Sequence, residues 1–173
     1  KSGEAEEQAV WQLAYAICAA VRTAPKACGV DCMDTVVVTG GEKAELAEEM
    51  RRIANSGGGS FLARDADNVD ASKAVVLAGI EYKTRGLSHR CQLCGFETCD
   101  ACTAAGATCV FAPMDLGIAL GSAVAMAADS RIDNRIMFSI GKAAVSLGLL
   151  GEHKLIMGIP LSVSGKSPFF DRA

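Results

Sequence analysis

The densest chemistry in the sequence lies in CQLCGFETCDAC, where Cys91, Cys94, Cys99 and Cys102 fall within twelve residues and Cys109 follows seven positions on. Thiols at such spacing can hold a metal centre, close disulfides or run dithiol chemistry. A cubane iron–sulfur core needs four thiolates around one inorganic cage. Short spacings supply three of them, because tight turns aim neighbouring sulfurs inward, and the fourth comes from farther along the chain. Two ligand sets meet this rule. Cys91, Cys94 and Cys99 form C-x2-C-x4-C, with Cys109 as the remote fourth. Cys94, Cys99 and Cys102 form C-x4-C-x2-C, the plant-type [2Fe–2S] spacing. That triad usually has a much more distant fourth cysteine, so the nearness of Cys109 favours the first set.

Zinc is the competing metal. A four-cysteine zinc site pairs two C-x2-C knuckles across a loop of roughly 15–20 residues. Here only four residues separate Cys94 from Cys99, which would cramp opposing knuckles. A disulfide framework suits small secreted domains without a core. This chain has core-forming segments, and its opening KSGEAEEQAV lacks the basic-then-apolar pattern of an export signal. The expectation is a soluble protein of the cytoplasm, where clustered cysteines bind metals or carry electrons.

The flanks of the motif suit an anionic centre. KTRGLSHR places Lys83, Arg85, His89 and Arg90 just before Cys91. Cations there would favour the reduced state of a thiolate-bound cluster, and a solvated loop is the alternative reading. His89 is expected at the surface or behind the ligands. Gly95 lets the backbone wrap closely. Cys18 falls on the apolar face of a helix and reads as a buried thiol. Cys28 and Cys32, in KACGVDC, read as loop thiols, with a redox pair or a second centre as the alternative.

Elements of an α/β or α+β domain must position these groups. EAEEQAVWQLAYAICAAVRT is an amphipathic helix with Val10, Leu13, Ala14, Ile17 and Val21 on one face. Val36 to Val38 make a β-branched strand closed by glycines. GEKAELAEEMRRIANSGGG is a second helix, with Leu46, Met50 and Ile53 inward. The stretch from Ser60 is expected to form a turn before a strand over Ala74 to Ile80. Asp65, Asp67 and Asp70 lack the glycine and glutamate of a calcium loop and read as caps and turns. PMDLGIALGSAVAMAADS is a buried helix, its apolar run too short to span a bilayer, which takes ~20 residues. Gly117, Gly121 and Ala125 on it would let another backbone approach, in a homodimer or an internal contact. A helix is expected from after Asp133 to near Gly151, then a last strand stopped by Pro160. The whole is one domain over residues 1–173, a small sheet covered by helices, with the cluster-binding segment 88–112 embedded in it.

A net charge of −3 carries no basic stripe, so nucleic acid is not an expected partner. SGKS lacks the glycine spacing of a phosphate loop, and Gly57 to Gly59 follow a helix instead of opening one. Arg22 and Lys26, and Arg131 and Arg135, could grip a flavin phosphate, although salt bridges and caps are the plainer roles. The order of helices and strands is faintly similar to that of nitroreductase-like flavoproteins, an analogy of fold alone.

The motif C-x2-C-G-F-x-T-C with a later cysteine resembles the cluster-binding motif of the corrinoid iron–sulfur protein and of the B subunit of the Rnf electron-transport complex. Nearly end to end, the chain resembles the "ferredoxin domain-containing" proteins of bacteria and archaea. The segments that carry this include ICAAVRTAPKACGVD, VVVTGGEKAELAEEM, CQLCGFETC, DLGIALGSAVAMAADSRIDNRIMFSIGKAA and MGIPLSVSGKSPFFDR. The resemblance implies one [4Fe–4S] cluster on Cys91, Cys94, Cys99 and Cys109. It gives no role to Cys28, Cys32 and Cys102, which are extra to that pattern, and it names no reaction.

Three functions remain in competition. The first is one-electron transfer to a redox protein partner. The second is a cluster-plus-flavin enzyme, motivated by a chain larger than a bare electron carrier requires. The third is a zinc-stabilised interaction module.

Overall fold

The sequence AVVLAGI forms the centre of the molecule because both of its faces are apolar. In the computed structural model, which describes residues 1–170, it is strand β2 (Ala74–Ile80), buried at every position. The two-residue period sends Ala74, Val76, Ala78 and Ile80 to one side and Val75 and Leu77 to the other. Strands β1 (Met33–Val38), β3 (Asp133–Asn134) and β4 (Leu155–Ser162) complete a sheet in the order β1-β2-β4-β3. All neighbouring pairs are antiparallel, with Val36 opposite Leu77 and Leu77 opposite Gly158.

Helices cover both faces. On one side lie α1 (Ser2–Thr23) and α5 (Phe111–Asp129); on the other lie α2 (Gly40–Ile53), α3 (Phe61–Ala71) and α6 (Phe138–Leu147). The α1 face named from the sequence, Val10, Leu13, Ala14, Ile17 and Val21, is fully buried. Each wholly buried leucine of the second face, such as Leu46 or Leu77, contributes ~1.5–3 kcal/mol by leaving water. Helix α6 lies almost on the main chain of β4. A Cβ on Gly141 would stand 1.6 Å from the Ile156 carbonyl oxygen, and one on Gly158 would stand 2.2 Å from Ile140. Both glycines are therefore conditions of that contact.

Four local expectations are corrected. The turn expected from Ser60 is helix α3, because Leu62, Ala66 and Val69 form one buried face. Its carboxylates are helical side chains: Asp67 and Asp70 both pair with Arg51, and buried Asp65 accepts from Ser139 Oγ at 2.6 Å. The helix expected from Asp133 starts only at Phe138, because Asp133 and Asn134 pair with Ser162 and Leu161 as β3. It ends at Leu147, where Gly148 takes φ 67°, a left-handed conformation suited to a glycine cap. Pro160 does not stop β4. Gly158 exchanges both main-chain bonds with Met137, so alternation turns the Pro160 nitrogen to that same outer side. No bond to β2 is lost.

Helix α5 buries Ala112, Asp115, Leu116, Ala119, Leu120, Ala123 and Ala127. Gly117, Gly121 and Ala125 face solvent, beside Met114 and Ile118 at nearly half exposure, so this stripe makes no internal contact. By length and composition α5 is apolar enough to cross a membrane. Its inward face packs on α1 and the sheet and carries the buried carboxylate of Asp115.

Candidate metal centre

The segment between β2 and α5 turns repeatedly in the left-handed region. Gly86, Ser88, Gln92 and Gly95 all have positive φ, from 50° to 82°. Two of them are not glycine, and such residues hold that conformation at a cost of ~1–2 kcal/mol each. The turns curl the chain around its own sulfurs. Cys91 ends a 3-10 turn over Ser88–Arg90, its N–H donating to the Ser88 carbonyl at 3.1 Å. Cys94 lies in the next turn, closed by the Gly95 N–H on the Gln92 carbonyl at 3.0 Å.

The short helix α4 (Cys99–Ala104) follows, started by Thr98, whose Oγ1 accepts from the Ala101 N–H at 3.0 Å. Cys99 and Cys102 are three residues apart and share one face of it. Cys109 sits just before α5, its carbonyl accepting from the Ala112 N–H.

These pieces surround one small recess, and Cys91, Cys94, Cys99, Cys102 and Cys109 all line it. All four sequence-chosen ligands are brought together, and Cys102 makes a fifth. Cys102 is wholly buried, Cys109 nearly so, and the other three are half-buried. The thiols ring the recess. Among the described residues, no three ligating side chains converge tightly enough for a single metal ion. Ser88 donates its N–H to Cys99 Sγ at 3.3 Å, a contact that draws electron density from that sulfur. Burial pushes the Cys102 thiol above the ordinary cysteine range, reinforced by its hydrogen bond with Cys94. Its Sγ also lies 3.6 Å from the Ala107 carbonyl oxygen. A set of soft sulfur donors around one recess, with a main-chain N–H on one sulfur, fits an iron–sulfur core.

The cations before the motif separate sharply. Lys83, His89 and Arg90 are exposed, and Lys83 pairs with Glu81. Arg85 turns inward and lines the recess. It forms a buried salt bridge with Asp115 of α5, Nη2 to Oδ2 at 2.9 Å and Nε to Oδ2 at 3.1 Å. The sequence reading gave Asp115 no role. A lone carboxylate beginning the run DLGIALG, on a face otherwise apolar, is the signal that marks it.

The remaining cysteines stand apart from the recess lining. Cys18 is half-buried beside the α1–α5 core rather than fully buried, Cys28 is exposed with φ 56°, and Cys32 is buried with Sγ 3.8 Å from the Glu81 carbonyl oxygen. All eight thiols are free. Of the cations considered for a flavin phosphate, Arg22 pairs with Asp31 at 2.7 Å and Asp34 at 3.2 Å. Lys26 caps α1 by donating to the Val21, Arg22 and Ala24 carbonyls. Arg135 donates to the Phe169 carbonyl and lies over the Phe170 ring, while Arg131 is exposed at the turn after α5.

Similar proteins place this architecture. The fold is like that of a nitroreductase with bound FMN from Bacteroides fragilis, at TM-score 0.62 and 15% identity over 94% of this chain and 81% of that one. It is also like nitroreductase CinD from Lactococcus lactis in complex with nicotinic acid, at TM-score 0.60 and 17% identity over 92% and 83%. The hypothetical oxidoreductase YcnD from Bacillus subtilis matches at TM-score 0.55 and 17% identity over 90% of this chain, which spans only 58% of its length. At these identities the likeness is one of fold. Residues 105–172 match the family described as "Uncharacterized protein containing a ferredoxin domain (DUF2148)". An "Uncharacterized protein" of the archaeon Archaeoglobus fulgidus is 44% identical over 160 residues, 88% of this chain and 85% of its own length. With that identity over that length, the chain belongs to this ferredoxin-domain family.

Proposed function

We propose that the protein is an iron–sulfur redox protein that holds one [4Fe–4S] cluster on Cys91, Cys94, Cys99 and Cys109 and exchanges electrons with a redox protein partner. The observation that carries this reading is the convergence of five thiols on one recess. The description of the family as containing a ferredoxin domain supports it. When bound, such a cluster accepts and releases one electron at a time. The chain's own contribution is to position thiolates, hold water out with burial, and direct the Ser88 N–H at Cys99. Half-exposed Cys91 and Cys94, next to exposed Leu93, form the side of the recess nearest a docking partner. Eight free thiols suit a reducing compartment such as the cytoplasm.

Anaerobic purification followed by iron, sulfide and zinc analysis tests the reading. About four irons and four acid-labile sulfides per chain are expected, with a broad visible absorption that bleaches on dithionite. One zinc and no colour sinks it in favour of a zinc-stabilised module. Cys99→Ser and Cys109→Ser should lose the cluster while Cys102→Ser keeps it. Loss in Cys102→Ser with retention in Cys91→Ser would replace Cys91 by Cys102 in the ligand set.

A second reading is a cluster-plus-flavin enzyme. Its specific support is the likeness in fold to nitroreductases, one of them with FMN bound. The engagement of Arg22, Lys26 and Arg135 within the chain weighs against those three as its phosphate grip. A yellow cofactor that stays with the protein after cluster removal selects this reading. The exposed stripe of Gly117, Gly121 and Ala125 is where a second copy of the chain would pack, and light scattering of the loaded protein tests that.

A further inference from the structure

Arg85 and Asp115 are the most deeply buried ion pair among the described residues, with side chains 1% and 3% exposed. Both ends are pinned. Arg85 Nη1 donates to the Lys83 carbonyl at 2.5 Å, and Asp115 Oδ1 accepts from the Ala27 N–H at 3.1 Å. Stability alone gives little reason for such a pair, because well-packed apolar side chains in its place are often as stable or more so. Its orientation supplies another reason. Arg85 lines the thiol recess and Asp115 does not, so the cationic member of the pair is the one beside the cysteines. Exposed Lys83, His89 and Arg90 act through water and salt, whereas a buried charge acts at low dielectric and is screened far less.

We propose that Asp115 is a positioning residue that holds the Arg85 guanidinium against the thiol recess, so that this pair, cation first, sets the reduction potential of the centre bound there. The inference rests on the iron–sulfur reading above. Reduction adds one negative charge to an already anionic, thiolate-bound centre. The nearby guanidinium eases that addition and raises the potential, and the carboxylate behind it tempers the effect. Through the Ala27 N–H, the same carboxylate ties the recess to the turn between α1 and β1, which carries Cys28.

The test is a spectroelectrochemical titration of the anaerobically purified, cluster-loaded full chain. Asp115→Asn leaves the cation unopposed, and its midpoint should rise above that of the wild type. Arg85→Gln removes the cation, and its midpoint should fall below. A purely structural role would not move the two variants in opposite directions. If Arg85→Gln does not load, the double replacement Arg85→Leu with Asp115→Leu decides, since it removes the pair without leaving a buried charge. Its midpoint should again lie below the wild type. Coincident midpoints, or single variants that shift the same way, overturn the proposal while the cluster reading stands. A wild-type chain without iron and sulfide overturns the cluster reading itself, and this inference with it.

Discussion

The α6–β4 contact and the cysteine loop are shaped by opposite means. At α6–β4 a helix rests on a strand so closely that Gly141 and Gly158 have no room for a methyl group, and the side chains around them are buried. In the loop, the turns are made by left-handed residues, Gly86 and Gly95 have open space where a Cβ would be, and three of the five sulfurs are half-exposed. Burial dictates the first region. The second is shaped by main-chain turns around its sulfurs, with the Arg85–Asp115 pair as its anchor to the body. One region should therefore be intolerant of added volume, and the other should depend on its ligand.

The strongest way to break this contrast is Gly141→Ala. The added Cβ would stand 1.6 Å from a main-chain oxygen, so helix and strand must separate. A loss of roughly 3 kcal/mol is expected, the upper part of the overpacking range. For a chain of this size that lowers Tm by about 6–12 °C in a thermal melt. A melt within a degree or two of the wild type would refute the close contact.

On the proposed cluster reading, treatment with an iron chelator under anaerobic conditions should act only on the other region. Amide exchange across residues 84–110 should speed up by at least about tenfold, while the amides of β2 and β4 keep their protection. Equal loosening of strands and loop would erase the distinction.

A third, smaller effect comes from the body's charged seam. Two Arg52 nitrogens at 2.6 Å, and Ser146 Oγ at 2.5 Å, hold the Glu49 carboxyl down at about 2. A carboxylate with a depressed folded-state pKa stabilises the fold above its unfolded value, near 4.5, and loses that contribution as pH falls toward 2. Denaturant melts between pH 5 and 2 should therefore show a shallower decline in Glu49→Gln than in the wild type. Identical slopes would mean that the seam contributes nothing.

The smallest effect sharpens the loop side. Gln92→Gly relieves a left-handed non-glycine residue at φ 55° and should gain about 0.5–1 kcal/mol, after the entropy cost of the new glycine. Cluster loading should be unchanged, as read by iron content.

Periodicity made the scaffold legible. The inward faces of α1 and of the second helix, and the doubly buried strand β2, follow from apolar spacing alone. Helix α3 was obscured because its face of Leu62, Ala66 and Val69, spaced four and then three, is interleaved with the aspartates of ARDADNVD, which suggest turns. Pro160 misled because a proline interrupts a strand only when its nitrogen faces a partner, and which side it faces depends on register. At the recess, cysteine spacing picked out residues that line one space but could not separate Cys102 from the others, since one turn of α4 carries it round to face the same space. The partnership of Arg85 with Asp115 links residues thirty positions apart and leaves no trace in local pattern.

The two central strands are neighbours along their whole length, Ala74 meeting Leu161 and Ile80 meeting Leu155, although the entire cysteine segment, α5 and α6 lie between them in the chain. Pairing them closes a very long loop, the kind of contact that slows folding. The order of events follows from topology. The last strand, β4, must be in place before the sheet is complete, and by then every residue of the recess has long been synthesised. On the proposed cluster reading, assembly of the centre is therefore expected as maturation of an already folded apoprotein, with refolding speed indifferent to whether iron is present.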